Sequence, residues 1–593
     1  MKRLLVALLL VLAPVFTAAA DEPVQAIVGG TLVNPGAVAV PDAVVLVRGG
    51  RIAAAGARGE VGIPADASRI DATGKWLVPG YIDSHVHFFQ SGGLYSRPDV
   101  LDLRDVVPYE QEIANTQANL GDTFRRTLRS GVTTVVDMGG PMWNFDVRTQ
   151  AMAAQAAPRV FVTGPLISTW KPPVLADLAD PAILAAASAE EARALVRAQA
   201  PRKPDFIKIW YVVPHGETPD RYLPVVRAAI DQAHALGLRV AVHALELETA
   251  RAAVLAGADM LVHSVEDKPV DAAFLGLLKK NGVVYIPTAA SGESYERVFT
   301  RELGLTREEQ AWGNPDVIDT LNDLWRLVPA ELPGWLRQQW EQGRKPARPA
   351  IAMQNLKAVQ DAGIVIATGT DAGNPGTLPG ASYFRELDLM AEAGLTPAQI
   401  LTNSTLGGAR LLGRDDELGS IARGKFADIV ILDADPLADV ANFSRIVAVM
   451  KGGEYFPADS IIEGAPQAST RRNPQAFRQP GPEDQPEAVV QRQLEAYNAG
   501  DVEAFLATYS PEVELFTLGG ERNSQGLEAM RATYASLFKA NPDLKCEIGK
   551  RIVQGDYVID HEHLTGLANG TAIDAVAIYE VKRGKIRRVW FTP

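Results

Sequence analysis

One cysteine, Cys546, stands in a chain of 593 residues. No intramolecular disulfide can form, no thiolate cage can hold a metal, and no cysteine follows an export signal to carry a lipid. Histidine is nearly as scarce, with eight in all. A metal site must therefore draw on few imidazoles, with carboxylates or a modified lysine beside them. Basic charge is in deficit as well: 58 Lys and Arg against 71 Asp and Glu leave a net charge of -13. That balance argues against a nucleic-acid partner, which needs Lys and Arg clustered against phosphates. Beyond the first twenty residues no apolar run approaches the length of a membrane span.

Residues 1–20 read as a secretory signal peptide. Lys2 and Arg3 precede "LLVALLLVLAPVF", and the small residues "TAAA" come just before Asp21. The expected mature chain begins at Asp21, is periplasmic or secreted, and has no membrane span once the signal is removed. An uncleaved anchor is the alternative, for which the apolar stretch is short.

With 47% hydrophobic residues, a chain of this length should fold as two to four domains. Residues 24–78 alternate short β-rich runs with Gly pairs and Pro, and the same texture returns near 419–456. The expectation is a composite β-sandwich of residues 21–78 and 412–460. Between them, glycines that close helical runs precede short apolar strands ending in a polar side chain: Gly131 and Asp137, Gly237 and His243, Gly257 and His263, Gly282 and Thr288, Gly363 and Asp371. In four of these five the polar residue lies six positions after the glycine. A helix stop at Gly, a strand of about five residues and a side chain at its carboxyl end make one unit. Capping boxes at Ser188 with Glu191 and Thr396 with Gln399 support the helices.

Such units over residues 79–411 predict an α/β fold, a (β/α)8 TIM barrel, with a doubly wound sheet as the rival. Polar residues at the ends of many strands favour the barrel. Residues 291–349, holding Trp312, Trp325, Trp335 and Trp340, break the rhythm and read as a lid-like insertion or a wall of flank-packed helices. Residues 461–484 are Pro-, Gln- and Arg-rich, a linker. Residues 485–593 read as a separate α+β domain.

In "GYIDSHVHFFQ", His85 and His87 alternate around Val86 on a strand, so both imidazoles face one way. Alone, such a pair is usually a polar strand end. Here His85, His87, His243 and His263 all lie at expected strand ends, and Asp371 ends the last strand of the series. Neutral imidazole and carboxylate suit zinc, manganese or iron. Lys208, in "PDFIKIWYVV", shares the inward face with Phe206 and Trp210. A buried lysine needs a partner or must be neutral. Either an internal carboxylate pairs with it, or the neutral amine reacts with carbon dioxide to give a carbamate able to bridge two metals.

"PGYIDSHVH", "IKI", "AVHA", "LVHS", "ATGTDAG", "LTPAQILTNSTLGGARLLG" and "GSIARGKFADIVILDADPL" together make residues 24–456 resemble the amidohydrolase superfamily. The branch they look most like holds imidazolonepropionase-like enzymes and metal-dependent prolidases. The resemblance implies two divalent metal ions, zinc first, with manganese or iron as alternatives. His85, His87 and Asp371 would hold the first, His243 and His263 the second, and a carbamate on Lys208 would bridge them. It further implies hydrolysis of a small amide or dipeptide substrate, such as an Xaa-Pro dipeptide or N-acyl amino acid, by a metal-bridged hydroxide, with Asp371 moving the proton. Tyr211, His215 and Tyr383 are positional candidates for holding the substrate. Asp137 is expected to support the ligands and His234 to be structural. Residues 485–593 resemble the SnoaL or ketosteroid-isomerase-like cone. Such cones often pair by their sheets, which implies a homo-oligomer. His561 and His563 read there as an isolated strand pair. The rival readings are a mononuclear cyclic-amide or lactone hydrolase and a noncatalytic periplasmic binding protein.

Overall fold

The computed structural model describes residues 23–299, 303–326, 350–471, 482–520, 522–582 and 584–592. The expected signal peptide, Trp335, Trp340 and the middle of the expected linker lie outside them. Among the described residues no helix is long and apolar enough to cross a membrane. The chain divides into two compact units, Met1–Leu321 with Ala347–Thr470, and Asn322–Pro346 with Arg471–Pro593.

The larger unit opens with strands β1 (Gln25–Leu32), β2 (Val40–Arg48), β3 (Arg51–Ala57), β4 (Ser68–Asp71) and β5 (Trp76–Pro79). In β2 the run from Ala43 to Val47 is wholly buried. Strand alternation divides it between two cores: Val45 and Val47 pack with Ile27 and Ile52, Val44 and Leu46 with Val24 and Ala26. Gly49 and Gly50 turn β2 into β3 with φ of 57° and 73°, the left-handed pair a two-residue hairpin requires.

Next come β6 (Tyr81–Val86), β7 (Val132–Asp137) and β8 (Arg159–Val162), a parallel sheet of three. β9 (Leu166–Ser168), β10 (Ile183–Ala185), β11 (Phe206–Trp210), β12 (Arg239–His243), β13 (Met260–Val262) and β14 (Val284–Ile286) make a parallel sheet of six, ordered β10-β9-β11-β12-β13-β14. Burial of β6 and β7 at every position fits parallel strands covered by helices. Gly131, Gly237, Gly257 and Gly282 enter their strands with φ of 73°, 75°, 108° and 63°. These are the left-handed helix stops that the spacing predicts.

The expected strand leading to Asp371 is not a regular one. Tyr285 N donates to Val365 O at 2.9 Å and Ala367 N to Tyr285 O at 3.0 Å, after which Ser84 N donates to Thr368 O at 2.8 Å and Asp371 N to His85 O at 2.7 Å. The segment changes partner midway, so it forms isolated bridges and no continuous ladder. It links the two sheets on one side. The ladders make two arcs, not one unbroken eight-stranded ring.

Strands β15 (Ile429–Leu432), β16 (Ile446–Lys451) and β17 (Glu454–Pro457) return to the first flank. β5 pairs with β1 on one edge and β15 on the other, giving the order β17-β16-β15-β5-β1-β2-β3 with β4 on β1. The two flanks join as one eight-stranded sheet, whose N- and C-terminal parts enclose a shared core of Ile27, Val45 and Ile52 with Ile429, Ala448 and Met450. It folds back on itself: Ile52 N donates to Lys425 O and Ala427 N to Gly50 O, both at 2.9 Å.

The smaller unit carries β18 (Tyr509–Thr517), β19 (Arg522–Gln525), β20 (Lys545–Gln554), β21 (Tyr557–Thr565), β22 (Ile573–Lys582) and β23 (Lys585–Phe591), ordered β19-β18-β23-β22-β21-β20. Helices Pro486–Ala499, Val502–Leu506 and Leu527–Ala540 accompany this β-rich fold, packing Val489, Phe505 and Met530 with Val589. On β21, Val558, Asp560 and Glu562 are buried, whereas His561 is exposed and His563 half-buried with Nδ1 2.8 Å from Asp574 Oδ1.

Candidate active site

The period of two on β6 puts Asp83 and His85 on one face, and His87 follows just past the strand end. His85 Nε2 and His87 Nε2 lie 3.2 Å apart. Both reach Asp371 Oδ1, at 3.2 and 3.1 Å, yet that oxygen has no hydrogen bond. His87 Nδ1 donates to Gly139 O at 2.7 Å, which leaves Nε2 bare and facing inward. Ser291 Oγ donates to the other oxygen of Asp371, Oδ2, at 3.2 Å. Among the described residues, His85, His87 and Asp371 are the one group of three whose ligand atoms all lie within 4.8 Å of one another.

Beside them, Lys208 rises from β11 with 2% of its surface exposed and no partner for Nζ. Burial pulls its pKa from 10.5 to about 7, against the opposing attraction of Asp371. His243 closes β12, its ring 4.5 Å from that of His263, which in turn is 5.3 Å from that of His85. His263 Nδ1 is 2.6 Å from Thr288 Oγ1. Burial, with the charge of Lys208 and neighbouring rings, holds His85, His243 and His263 well below the ordinary histidine pKa. Their imidazoles are neutral, the form that binds metal.

His263, Thr288 and Asp371 have φ of 77°, 49° and 59°, and they are three of the five non-glycine residues with positive φ among the described residues. Each such conformation costs on the order of 1 kcal/mol and persists only where its surroundings impose it. Strain therefore gathers at the histidine cluster.

The remaining candidates have other partners or surroundings. Tyr211 has the opposite strand parity to Lys208 and Trp210, and its hydroxyl donates to Pro219 O at 2.5 Å. His215 is exposed in the loop beyond β11. Tyr383 packs in the core, its ring 5.8 Å from that of Tyr81 and its hydroxyl donating to Ile82 O at 3.2 Å. Asp137 accepts from Phe88 N at 3.0 Å and Gly139 N at 3.2 Å, so it braces the segment around His87, and burial lifts its pKa to about 6. His234 Nε2 contacts Asp259 Oδ2 at 2.9 Å on the surface.

Other residues enter the site without having been singled out in the sequence. Asp83 accepts from Thr370 Oγ1 at 2.7 Å and Thr370 N at 3.0 Å beneath the cluster, and burial raises its pKa to about 7. Its parity with His85 was a usable signal. Ser291 and Tyr295 come from the first helix of the insertion, Ala289–Phe299, and Arg97 from the loop after His87. No local periodicity points to them. Phe89 and Trp210 supply aromatic surface, with rings 5.6 Å from His87 and 6.0 Å from His243.

The donor set fits divalent cations. Neutral imidazoles converge with an unpartnered carboxylate oxygen and an unpartnered buried amine, atoms that would each be costly to bury with nothing to bind.

Residues 76–455 match the family model described as the amidohydrolase family. The chain belongs to that family. This amidohydrolase is accordingly a hydrolase acting on carbon–nitrogen bonds, and residues 490–589 match a SnoaL-like domain. It is 26% identical over 450 residues to an imidazolonepropionase of Mycolicibacterium smegmatis, covering 70% of this chain and 90% of that one. A solved Xaa-Pro dipeptidase with bound methionine superposes with a TM-score of 0.56 at 22% identity, over 73% of this chain and all of that one. A putative prolidase from Bifidobacterium longum gives 0.54 at 24% identity, over 75% of this chain and all of that one. These likenesses make the fold of the amidohydrolase unit TIM-barrel-like.

Proposed function

We propose that this amidohydrolase cleaves a peptide-like amide C–N bond in a small molecule, an Xaa-Pro dipeptide or an N-acyl amino acid, and works outside the cytoplasm. Its barrel would carry two divalent cations, zinc first among them. His85, His87 and Asp371 would hold one and His243 and His263 the other, with Lys208 as a carbamate between them. The observation that carries the reading is Lys208. A buried amine with no partner, poised near pH 7 between its charged and neutral forms, is free to attack carbon dioxide and lose a proton. Bound cations would activate water and polarise the scissile carbonyl. Asp371 Oδ1, open toward the histidines while Ser291 occupies Oδ2, would take the proton of the attacking water and return it to the leaving nitrogen. Phe89 and Trp210 would line the approach with apolar surface that excludes water. The similarity to a dipeptidase structure agrees with a peptide-like substrate. The SnoaL-like domain would serve self-association.

Metal content by plasma mass spectrometry, on chain lacking residues 1–20 and supplied with zinc or manganese, tests the site. A dipeptide and N-acyl amino-acid panel then tests the reaction. Lys208→Ala should lose hydrolysis with its fold retained, and full activity in that variant would sink the bridged site. A mononuclear reading, a cyclic-amide hydrolase, is favoured by a different observation: among the described residues, His85, His87 and Asp371 are the one trio of His, Cys, Asp or Glu whose ligand atoms all lie within 4.8 Å of one another. The curated imidazolonepropionase relatives point the same way. It predicts one metal per chain, ring substrates and indifference to Lys208→Ala.

A further inference from the structure

Asp371 adopts a φ of 59° at the start of a loop that doubles back against the residues after His87. Gly92 N donates to Gly373 O at 2.9 Å and Gly376 N to Gly92 O at 2.8 Å. Gly373 has a φ of 112°, and a Cβ there would come within 2.5 Å of His87 O. These contacts bring the loop close to the metal-ligand candidates, but they do not hold Asp371 itself. Two other bonds do: Asp371 N donates to His85 O at 2.7 Å, and Asn374 Nδ2 donates to Asp371 O at 2.8 Å.

The orientation of that amide is imposed from two distant segments. Arg97 Nη1 donates to Asn374 Oδ1 at 2.5 Å, and Tyr295 Oη donates to the same oxygen at 2.6 Å. Arginine has no acceptor, so Oδ1 must face it and Nδ2 must face Asp371. Arg97 Nη1 also donates to Tyr295 Oη at 3.1 Å, which turns the phenolic proton toward Asn374. Asp99 grips the other edge of the guanidinium, Oδ1 on Nε at 2.8 Å and Oδ2 on Nη2 at 2.6 Å. Arg97 is thus locally neutralised and fully aligned by protein groups. Its place suits a brace better than a hook for a substrate carboxylate.

We infer that Asn374 is a positioning residue, through which Arg97 and Tyr295 fix the strained backbone of Asp371 and so aim Oδ1 between His85 and His87. The inference rests on the metal-site reading above. It assigns Asp99, Arg97, Tyr295 and Asn374 to one relay that ends at a ligand without touching substrate. Such supporting bonds typically govern metal affinity by about 10–100-fold.

The test is zinc affinity of the full chain, by competition with a chromophoric chelator, with thermal melting beside it. Asn374→Ala should weaken zinc binding by about 10–100-fold. Asn374→Asp retains Oδ1 but loses the donor to Asp371, and should weaken zinc comparably. Tyr295→Phe should cost several-fold in the wild-type background and nothing further in Asn374→Ala, because Tyr295 acts through Asn374. Additive losses in the double variant would overturn the relay. So would zinc affinities within twofold of wild type, whatever the melting temperatures do. Should Asn374→Ala fail to fold, Asn374→Asp and Tyr295→Phe decide by the same zinc criterion. A wild-type chain that binds no zinc overturns the metal reading and this inference together, whereas normal binding by wild type and variants alike overturns the inference alone.

Discussion

Lys208→Met should make the metal-free protein more stable while removing the buried amine. Burial takes the lysine pKa from 10.5 to about 7. At about 1.4 kcal/mol per pH unit, keeping this group inside costs the folded state roughly 5 kcal/mol at and below neutrality. Methionine has a similar reach and no charge, and imperfect packing takes back about 1–2 kcal/mol. The expected net gain at pH 7 is therefore roughly 3 kcal/mol. Its pH dependence is the sharper signature. Below pH 7 both folded and unfolded wild type hold the proton, so the penalty is constant. Above it the folded chain has released the proton while the unfolded chain keeps it up to about pH 10.5, so wild-type stability rises with pH. The advantage of Lys208→Met should shrink by roughly 3 kcal/mol between pH 7 and 9.5. Urea unfolding of EDTA-treated wild type and variant at those two pH values measures both quantities. A variant less stable than wild type at pH 7, or a difference that does not move with pH, would refute the account of an unpaired buried amine.

Three further outcomes follow from the packing around the site. Tyr383→Phe removes a hydroxyl that donates to Ile82 O. It should cost about 1 kcal/mol in urea unfolding and leave KM unchanged, and a tenfold rise in KM would return Tyr383 to the substrate. Glu309 is fully buried and accepts from Arg297 Nη2 at 2.8 Å and Ser382 Oγ at 2.7 Å. Glu309→Ala strands the guanidinium and should lower stability by about 3–5 kcal/mol, visible in the same unfolding curves. Gly373→Ala, whose Cβ would strike His87 O, should lower metal content by mass spectrometry, and full occupancy would show that the loop can yield.

Much of the site is readable because regular strands convert sequence spacing into direction. The alternation of His85 and His87 about Val86 predicts one shared face, and their Nε2 atoms lie 3.2 Å apart. The same rule flags Asp83 and explains why Tyr211 turns away from the face of Lys208. Glycine at a helix end sets where the next strand starts, so His243 and His263 could be placed at strand ends from spacing alone. Asp371 was placed by the same logic, although its strand proved to be a string of isolated bridges whose partners change at residue 368. Arg97, Tyr295 and Asn374 were not legible. Each lies on a loop or an inserted helix, where no period of 2 or 3.6 ties sequence position to direction. Only the folded chain brings them to one amide. Texture marks the strands of the two flanks, but which of their edges pair depends on contacts between residues far apart in sequence.

Strand β5 has an implication for the order in which this chain can be made. Pro79 sits opposite Ile429, and β6, with His85, begins at Tyr81. The strand that presents the first histidine is thus tethered to one whose second edge stays bare until synthesis has passed Leu432. Pairing across such a distance is slow, because loop closure must precede its reward. A nascent chain can finish its early hairpins and helices, yet it holds the first two imidazoles on an incomplete scaffold. Tight metal capture is therefore a late event, and a chain truncated before β15 should lose the site together with the sheet.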